Sequence, residues 1–343
     1  MNRKQRRAAQ KADTLDVRHL KAPSDEIQRL LFEAARYEQQ QKTAEAARIY
    51  QRALALDPNN AQACNNFASL LHRQGKAKEA SSYFARTLAL MPQLLTQYNS
   101  IRTTLVSLLP ALDQALRRQS AAWPQRQTPS ELFGENFDSV VQNELLLQLL
   151  KSIPVQDVAF ERLLTSLRHS LLITSGEETS DRDLLFICSL AQQCFINEYI
   201  FEVTAEEDVL LSGLVDSLRS RTPTDVEVAT AAMYVPLHSL ENTNSYLTRR
   251  WSAPVDAVID LQLRAPAQEM ALRGTLPRLT PISDQVSRDV QKQYEENPYP
   301  RWVYAPEQVI PKSLDQYLQE QFPTVQFKPS GKTEGLDVLV AGC

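Results

Sequence analysis

Apolar residues recur every three or four positions through most of the chain, and this spacing predicts amphipathic helices. The run DRDLLFICSLAQQCFINEYIFEVTAEEDVLLSGLVDSLRS predicts two of them. Asp181 is placed to cap the first helix. Thr204, with Glu207 three residues later, forms a capping-box pattern at the start of the second. Glycine is scarce, with 8 residues in the chain. The pattern therefore favours a mainly helical fold.

Two blocks near the start of the chain repeat with a period of 34 residues, as from Ala34 to Ala68. Small residues at these positions permit two helices to approach closely, and a proline ends the second helix because it has no N–H group to donate. Gly75 lies where the second block must turn. We therefore expect two helical hairpins. The matching pairs are Ala34 with Ala68, Ala46 with Ala80, Tyr50 with Phe84, Leu54 with Leu88, and Pro58 with Pro92.

These positions resemble the tetratricopeptide repeat, a helical hairpin with small residues at this spacing and a closing proline. The pattern stops after two copies, since the third-copy positions hold Arg102, Gln114 and Arg126. The resemblance implies a protein or peptide partner. Two hairpins cannot bury their own apolar faces, however, so they could also be the first layers of a larger helical body. The sequence leaves both interpretations open.

Four segments follow from these patterns. Residues 1–22 form a basic flexible tail, residues 23–92 hold the two repeats, and residues 93–278 form a helical domain. Residues 279–343 contain a linker helix and the end of the chain. The basic residues of the tail start at Arg3, and a solvated tail is the favoured interpretation over contact with RNA or an anionic surface.

Charge and cysteine usage exclude several classes of function. The net charge is -4 and the isoelectric point is about 5.7, which disfavours general nucleic-acid binding. The four cysteines form no C-x-x-C pair, so we expect neither a metal site nor a disulfide framework, and a reducing, cytoplasmic location. No apolar run is long enough to span a membrane. Cys194 and Glu198 are spaced as a reactive pair, but a buried structural cysteine is the favoured interpretation.

The segment QYEENPYPRW, residues 293–302, follows a predicted helix whose apolar stripe includes Val286 and Val290. That helix must end near Glu296, because Pro298 disfavours helical backbone at the residue before it. The two prolines hold the following residues in an extended or turn form. The segment is either a stiff connector or the lid of a binding site, and its candidate lid residues are Asn297, Tyr299, Arg301 and Trp302.

Four runs occur in order along the chain: CFINEY, LPRLTPI, QYEENPYPRW and VLVAGC. Together they resemble a family of bacterial tetratricopeptide-repeat proteins with a C-terminal class I S-adenosylmethionine-dependent methyltransferase domain. The resemblance implies that Val338–Val340 form the first β-strand of a Rossmann-like domain that is truncated in this chain. It also implies that the first part of a glycine-rich cofactor-binding turn is formed by Ala341, Gly342 and Cys343.

The resemblance implies that the full-length protein binds S-adenosylmethionine and transfers its methyl group, with catalytic residues that the sequence does not identify. The present chain lacks most of the cofactor pocket under this interpretation, so we expect it to be inactive and to bind the cofactor weakly. The repeats and the helical domain would recruit a substrate or partner. The alternative is a non-enzymatic scaffold that uses the repeats for protein–protein interaction.

Overall fold

The computed structural model describes residues 23–91, 98–175, 180–241, 243–273, 275, 284–296, 313–322, 325 and 328. All regular elements in these ranges are helices, which confirms the mainly helical fold. The chain divides into two compact units, residues 1–303 and 304–343. The predicted basic tail and the predicted strand Val338–Val340 lie outside the described residues, so both stay predictions.

The first unit begins with two helical hairpins. Helix α1 (Pro23–Gln39) packs against α2 (Thr43–Leu56), and α3 (Ala61–Arg73) packs against α4 (Ala77–Leu90). The predicted close approach is confirmed by the four repeated alanines, since each is fully buried. Their small side chains permit the paired helices to pack closely. The four are Ala34, Ala46, Ala68 and Ala80.

The turns of the two hairpins have the same hydrogen-bond pattern, displaced by the sequence period. The N–H of Lys42 and that of Lys76 each donate to the carbonyl five residues earlier, at 2.9 and 3.0 Å. The residue before each lysine has a positive φ, 59° at Gln41 and 74° at Gly75. This helix C-terminus favours glycine, because a side chain makes the left-handed backbone costly. The 34-residue sequence period is therefore also a structural period.

The rest of the first unit continues as helices. They are α5 (Tyr98–Leu108), α6 (Pro110–Ala122), α7 (Pro129–Phe133), α8 (Phe137–Val141), α9 (Glu144–Ser152), α10 (Val158–Ile173), α11 (Asp181–Ile196), α12 (Ala205–Ser220), α13 (Asp225–Ala231), α14 (Asn244–Thr248), α15 (Ala253–Ile259), α16 (Ala265–Arg273) and α17 (Gln285–Glu296). Single 3₁₀ turns lie at Gly134–Asn136 and Leu237–Ser239, and a π-helical turn, Asp260–Arg264, joins α15 to α16. The second unit contains α18 (Leu314–Gln321).

Helices that follow the repeats cover the hairpins, as expected. Helix α9 packs against α4, α10 packs against α6, and α11 contacts α9, α13 and α15. The buried apolar side chains form one continuous cluster that extends from Ile27 in α1 to Leu263 in the π-helical turn. The repeats and the following helices therefore share a single hydrophobic core.

The π-helical turn places Gln262 in the interior, where its side chain is fully buried. Its Nε2 group donates to the carbonyls of Ala191 and Ala232, at 3.3 and 3.1 Å. Its Oε1 atom accepts from the N–H of Leu237 at 3.1 Å. One amide side chain therefore bonds to three backbone groups from separate parts of the chain, and its own buried donor and acceptor groups are satisfied.

The helix caps confirm one prediction and correct another. The Thr204 N–H donates to Glu207 Oε2 at 2.8 Å, and the Glu207 N–H donates to Thr204 Oγ1 at 3.2 Å, so the predicted capping box is present. The prediction of Asp181 as the cap of α11 is wrong. Ser180, one residue earlier, accepts from the N–H of Asp183 at 3.2 Å, and Asp181 is the first residue of the helix.

Helix α17 ends at Glu296, where the following proline predicts its end. Two members of the predicted apolar stripe, Val286 and Val290, are 69% and 45% exposed. These two side chains are therefore not part of the hydrophobic core of the first unit.

Replacing Gly75 with alanine should lower the free energy of unfolding by about 1 kcal/mol, because the added Cβ disfavours the left-handed backbone. No atom lies within 4 Å of the new Cβ, so the cost comes from the backbone alone. Urea denaturation measures the change.

The matched control is Gly213→Ala, in the middle of α12, where the added Cβ also meets open space. That substitution should raise the free energy of unfolding by up to about 1 kcal/mol, since alanine favours helical backbone. The same sign for both substitutions would contradict the assignment of the turn at Gly75.

Candidate functional site

Helices α1, α3 and α5 are bridged side by side by polar side chains. The Glu38 carboxylate of α1 forms an ion pair with Arg73 of α3 and accepts a hydrogen bond from the Tyr50 hydroxyl at 2.6 Å. On the other side of α3, the Nε2 atom of His72 lies 3.1 Å from Ser107 Oγ of α5. The polar sides of the three helices, which hold these side chains, therefore lie next to one another.

The amino-acid order of α3 separates a buried side from a polar side. Asn60 starts the helix by accepting a hydrogen bond from the Ala63 N–H at 2.9 Å. Apolar residues recur at three- and four-residue spacing and point into the core. Polar residues occupy the positions between them. We call this second set the polar face: Gln62, Asn65, Asn66, Ser69, His72 and Arg73.

The polar face contains both fixed and available hydrogen-bonding groups. The Nε2 group of Gln62 donates to Asn66 Oδ1 at 2.9 Å, and Ser69 Oγ donates to the Asn65 carbonyl at 3.0 Å. Burial raises the pKa of Tyr50, and a hydrogen bond from Asn66 to its hydroxyl opposes that rise. The half-buried Asn65 amide has no hydrogen-bond partner among the residues that the structure describes. Its donor and acceptor are therefore available to a ligand.

The predicted cofactor-binding residues Ala341, Gly342 and Cys343 lie outside the described residues. The same holds for the four candidate lid residues, Asn297, Tyr299, Arg301 and Trp302. Their roles stay predictions.

The CFINEY run, residues 194–199, forms the C-terminal end of α11. Cys194 is fully buried, and this burial raises the pKa of its thiol to about 11, although the Arg168 guanidinium opposes the shift. The thiol is therefore protonated near neutral pH, which agrees with the prediction of a buried structural cysteine. Glu198 and Tyr199 both have left-handed backbone, with φ of 59° and 58°. They close the helix through a hydrogen bond from the Tyr199 N–H to the Cys194 carbonyl at 2.8 Å.

A buried charged cluster centred on Arg168 was not predicted from the sequence. Arg168 is fully buried, donates from Nη2 to the Glu202 carbonyl at 2.8 Å, and lies 3.9 Å from Glu207 Oε1. Its guanidinium carbon is 4.1 Å from the centre of the Tyr234 ring. The Tyr234 hydroxyl donates to Glu207 Oε1 at 2.7 Å. Its position in the sequence could have indicated its burial. Arg168 lies four residues from both Leu164 and Leu172, on the apolar stripe of α10.

Across the described ranges, no group of three or more histidine, cysteine or acidic side chains could hold a metal ion. No helix within the same ranges has the length and apolar character needed to cross a bilayer.

Replacing Arg168 with methionine should lower the free energy of unfolding by about 3–5 kcal/mol, because it leaves the buried Glu207 carboxylate without its cation. Thermal and urea denaturation measure the loss. The control is Arg117→Met, which removes an exposed ion pair with Asp113 at 2.8 Å and should change stability by less than about 1 kcal/mol. Equal effects of the two substitutions would show that the buried cluster is not a stabilising element.

Comparison with known proteins agrees with the repeat pattern. No curated protein matches the chain. Residues 37–105 match the tetratricopeptide repeat family, from the end of α1 to the third turn of α5. The matched residues include the whole of α3 and its polar face.

Proposed function

We propose that the polar face binds an extended segment of a partner protein. The observation that carries the proposal is the surface of α3, where amide and hydroxyl side chains stand between α1 and α5 in a tetratricopeptide repeat region. Such repeats are typical of protein–protein interaction. Amide side chains both donate and accept, so they can pair with the N–H and C=O groups of a peptide backbone.

Packing of the hydrophobic core does not explain why polar residues occupy the polar face of α3. The core side of α3 consists of buried, mainly apolar residues, and α9 covers α4, the other helix of the same hairpin. Asn65 contributes no hydrogen bond to the fold from its side chain within the described part of the chain. A polar group that is available and held on a rigid helix supports a binding role over a purely structural one.

A photo-crosslinking amino acid at Ser69 tests the proposal, with the same group at the exposed Gln51 of α2 as the matched control. In cells of the native host, we expect a defined protein to crosslink at residue 69 and not at residue 51. With that protein purified, Asn65→Ala should weaken its binding by about 3- to 10-fold, the effect of losing one hydrogen bond.

Two results would contradict this assignment. One is the same set of crosslinked proteins at both positions. The other is unchanged affinity in Asn65→Ala while a double substitution of exposed residues on α2, Arg48→Ala with Gln51→Ala, abolishes binding.

We further propose that the repeats and helices deliver a substrate to a class I methyltransferase in the cytoplasm. The support is the ordered resemblance of CFINEY, LPRLTPI, QYEENPYPRW and VLVAGC. In this proposal Ala341, Gly342 and Cys343 begin the turn that contacts S-adenosylmethionine, and the NPYPRW segment folds over it. The sulfonium makes the methyl group labile, so the protein acts mainly by positioning the acceptor for in-line displacement.

Calorimetric titration with S-adenosylmethionine tests the second proposal. We expect residues 1–343 to bind the cofactor no tighter than about millimolar, because a single strand and its turn supply few contacts. A longer product of the same gene, reading through the glycine-rich turn, should bind at micromolar concentration. Micromolar binding by residues 1–343 would contradict the incomplete pocket. Absence of binding to the longer product, with crosslinking at residue 69 intact, would favour the non-enzymatic scaffold.

A further inference from the structure

A cavity of about 610 Å³ lies where the second hairpin meets the helices that follow it. The first turn of α4, the C-terminal end of α5 and the junction of α8 with α9 form its walls. Cavities that hold small organic ligands are typically about 300–1,000 Å³. This cavity is therefore large enough for a small molecule or a few residues of peptide.

The walls of the cavity combine two opposite charges with an apolar surface. Lys78 on α4 and Glu144 on α9 both line it, and Leu108 and Leu109 add apolar surface at the end of α5. Neither Lys78 nor Glu144 forms an ion pair within the described ranges. Both charges are thus available to a ligand that carries the complementary groups.

One side of the cavity has its hydrogen-bonding groups satisfied from within the protein. Ser81 is only 3% exposed, and its Oγ donates to Asn143 Oδ1 at 2.9 Å. The first turn of α9 donates back to the same pair, from the Leu145 N–H to Ser81 Oγ at 3.4 Å and from the Leu146 N–H to Asn143 Oδ1 at 3.1 Å. These hydrogen bonds join α4 to the start of α9, where Glu144 is the charged residue of the lining.

The start of α4, the helix that supplies Ser81, has a second feature. Lys76, the residue before α4, makes no capping hydrogen bond from its side chain. The first N–H groups of that helix thus have no side-chain acceptor from the residue that precedes it, and Lys78 lies in the same first turn. Negative charge is favoured at such a position. The lining consequently has one exposed residue suited to an anion, Lys78, and one exposed residue suited to a cation, Glu144.

We propose that this cavity binds a zwitterionic ligand of the amino-acid class, either a free amino acid or a short peptide with both termini charged. The ligand's carboxylate pairs with Lys78, and its ammonium group pairs with Glu144. An apolar side chain of the ligand packs on Leu108 and Leu109. The site is separate from the polar face, so it does not depend on the function proposed above.

The test uses the whole chain with methyl-labelled leucine and isothermal titration. The probes are free leucine, free phenylalanine, the dipeptide Ala-Leu, and N-acetyl-Ala-Leu-amide, which carries neither terminal charge. Titration extends to about 10 mM, where millimolar affinity is still detected. We expect the charged probes to shift the methyl signals of Leu108 and Leu109, and the capped dipeptide to leave them unchanged.

Substitutions assign the binding to the two charges. Lys78→Met and Glu144→Gln should each weaken the binding by at least about tenfold, as expected for loss of a charge-assisted hydrogen bond. The matched controls are Lys76→Met and Glu79→Gln, which remove neighbouring exposed charges that do not line the cavity. Both controls should bind as the wild type does, and circular dichroism verifies that every variant is folded.

Each outcome decides the proposal. Binding of the free amino acids supports the proposal and identifies the ligand as a free amino acid. Binding of the dipeptide alone also supports it and identifies the ligand as a short peptide. The proposal is overturned by unchanged methyl signals with every charged probe, by equal binding of the capped dipeptide, or by Lys78→Met and Glu144→Gln variants that are folded and bind with wild-type affinity.

Discussion

Two helical hairpins bury too little apolar surface to be stable alone, and the arrangement of the first unit follows from the need to cover them. The fully buried alanines bring the paired helices together, but the outer side of the second hairpin would face water. Helix α9 covers it, and α11 then packs on α9. The contact between α4 and α9 also forms the polar seam of Ser81 and Asn143, so the same packing that completes the core creates a defined cavity wall.

The elements that the sequence predicted well are those determined by local spacing. The hairpins, the capping box at Thr204 and the end of α17 at Glu296 each depend on residues close together in the chain. The error at Asp181 is also local, since Ser180 and Asp181 are both good caps and adjacent. By contrast, the hydrogen bond between Ser81 and Asn143 joins residues 62 positions apart, and no periodicity encodes such a contact.

The candidate site likewise contains features that the sequence indicates and features that only the folded chain shows. The alternation along α3 was visible in the sequence, but its meaning required the ion pair of Glu38 with Arg73 and the contact of His72 with Ser107, which show that α1 and α5 flank it. Arg168 was hidden for the opposite reason. A charged residue within a leucine-rich helix is usually assigned to the solvent side, and only the folded chain brings Glu207 and Tyr234 to it. The residues assigned by resemblance, such as Gly342, lie beyond the described part of the chain and stay predictions.

The π-helical turn at Asp260–Arg264 has a consequence for the chain beyond it. A π-helical turn holds one residue more than an α-helical turn, so it rotates all later side chains by about 100° relative to an uninterrupted helix. Val258 before the turn is fully buried, whereas Met270 and Leu272 after it are 74% and 60% exposed. The turn places Gln262 in the interior and marks the point where the chain leaves the core, because Leu263 is still buried whereas every residue from Ala267 to Leu272 is exposed.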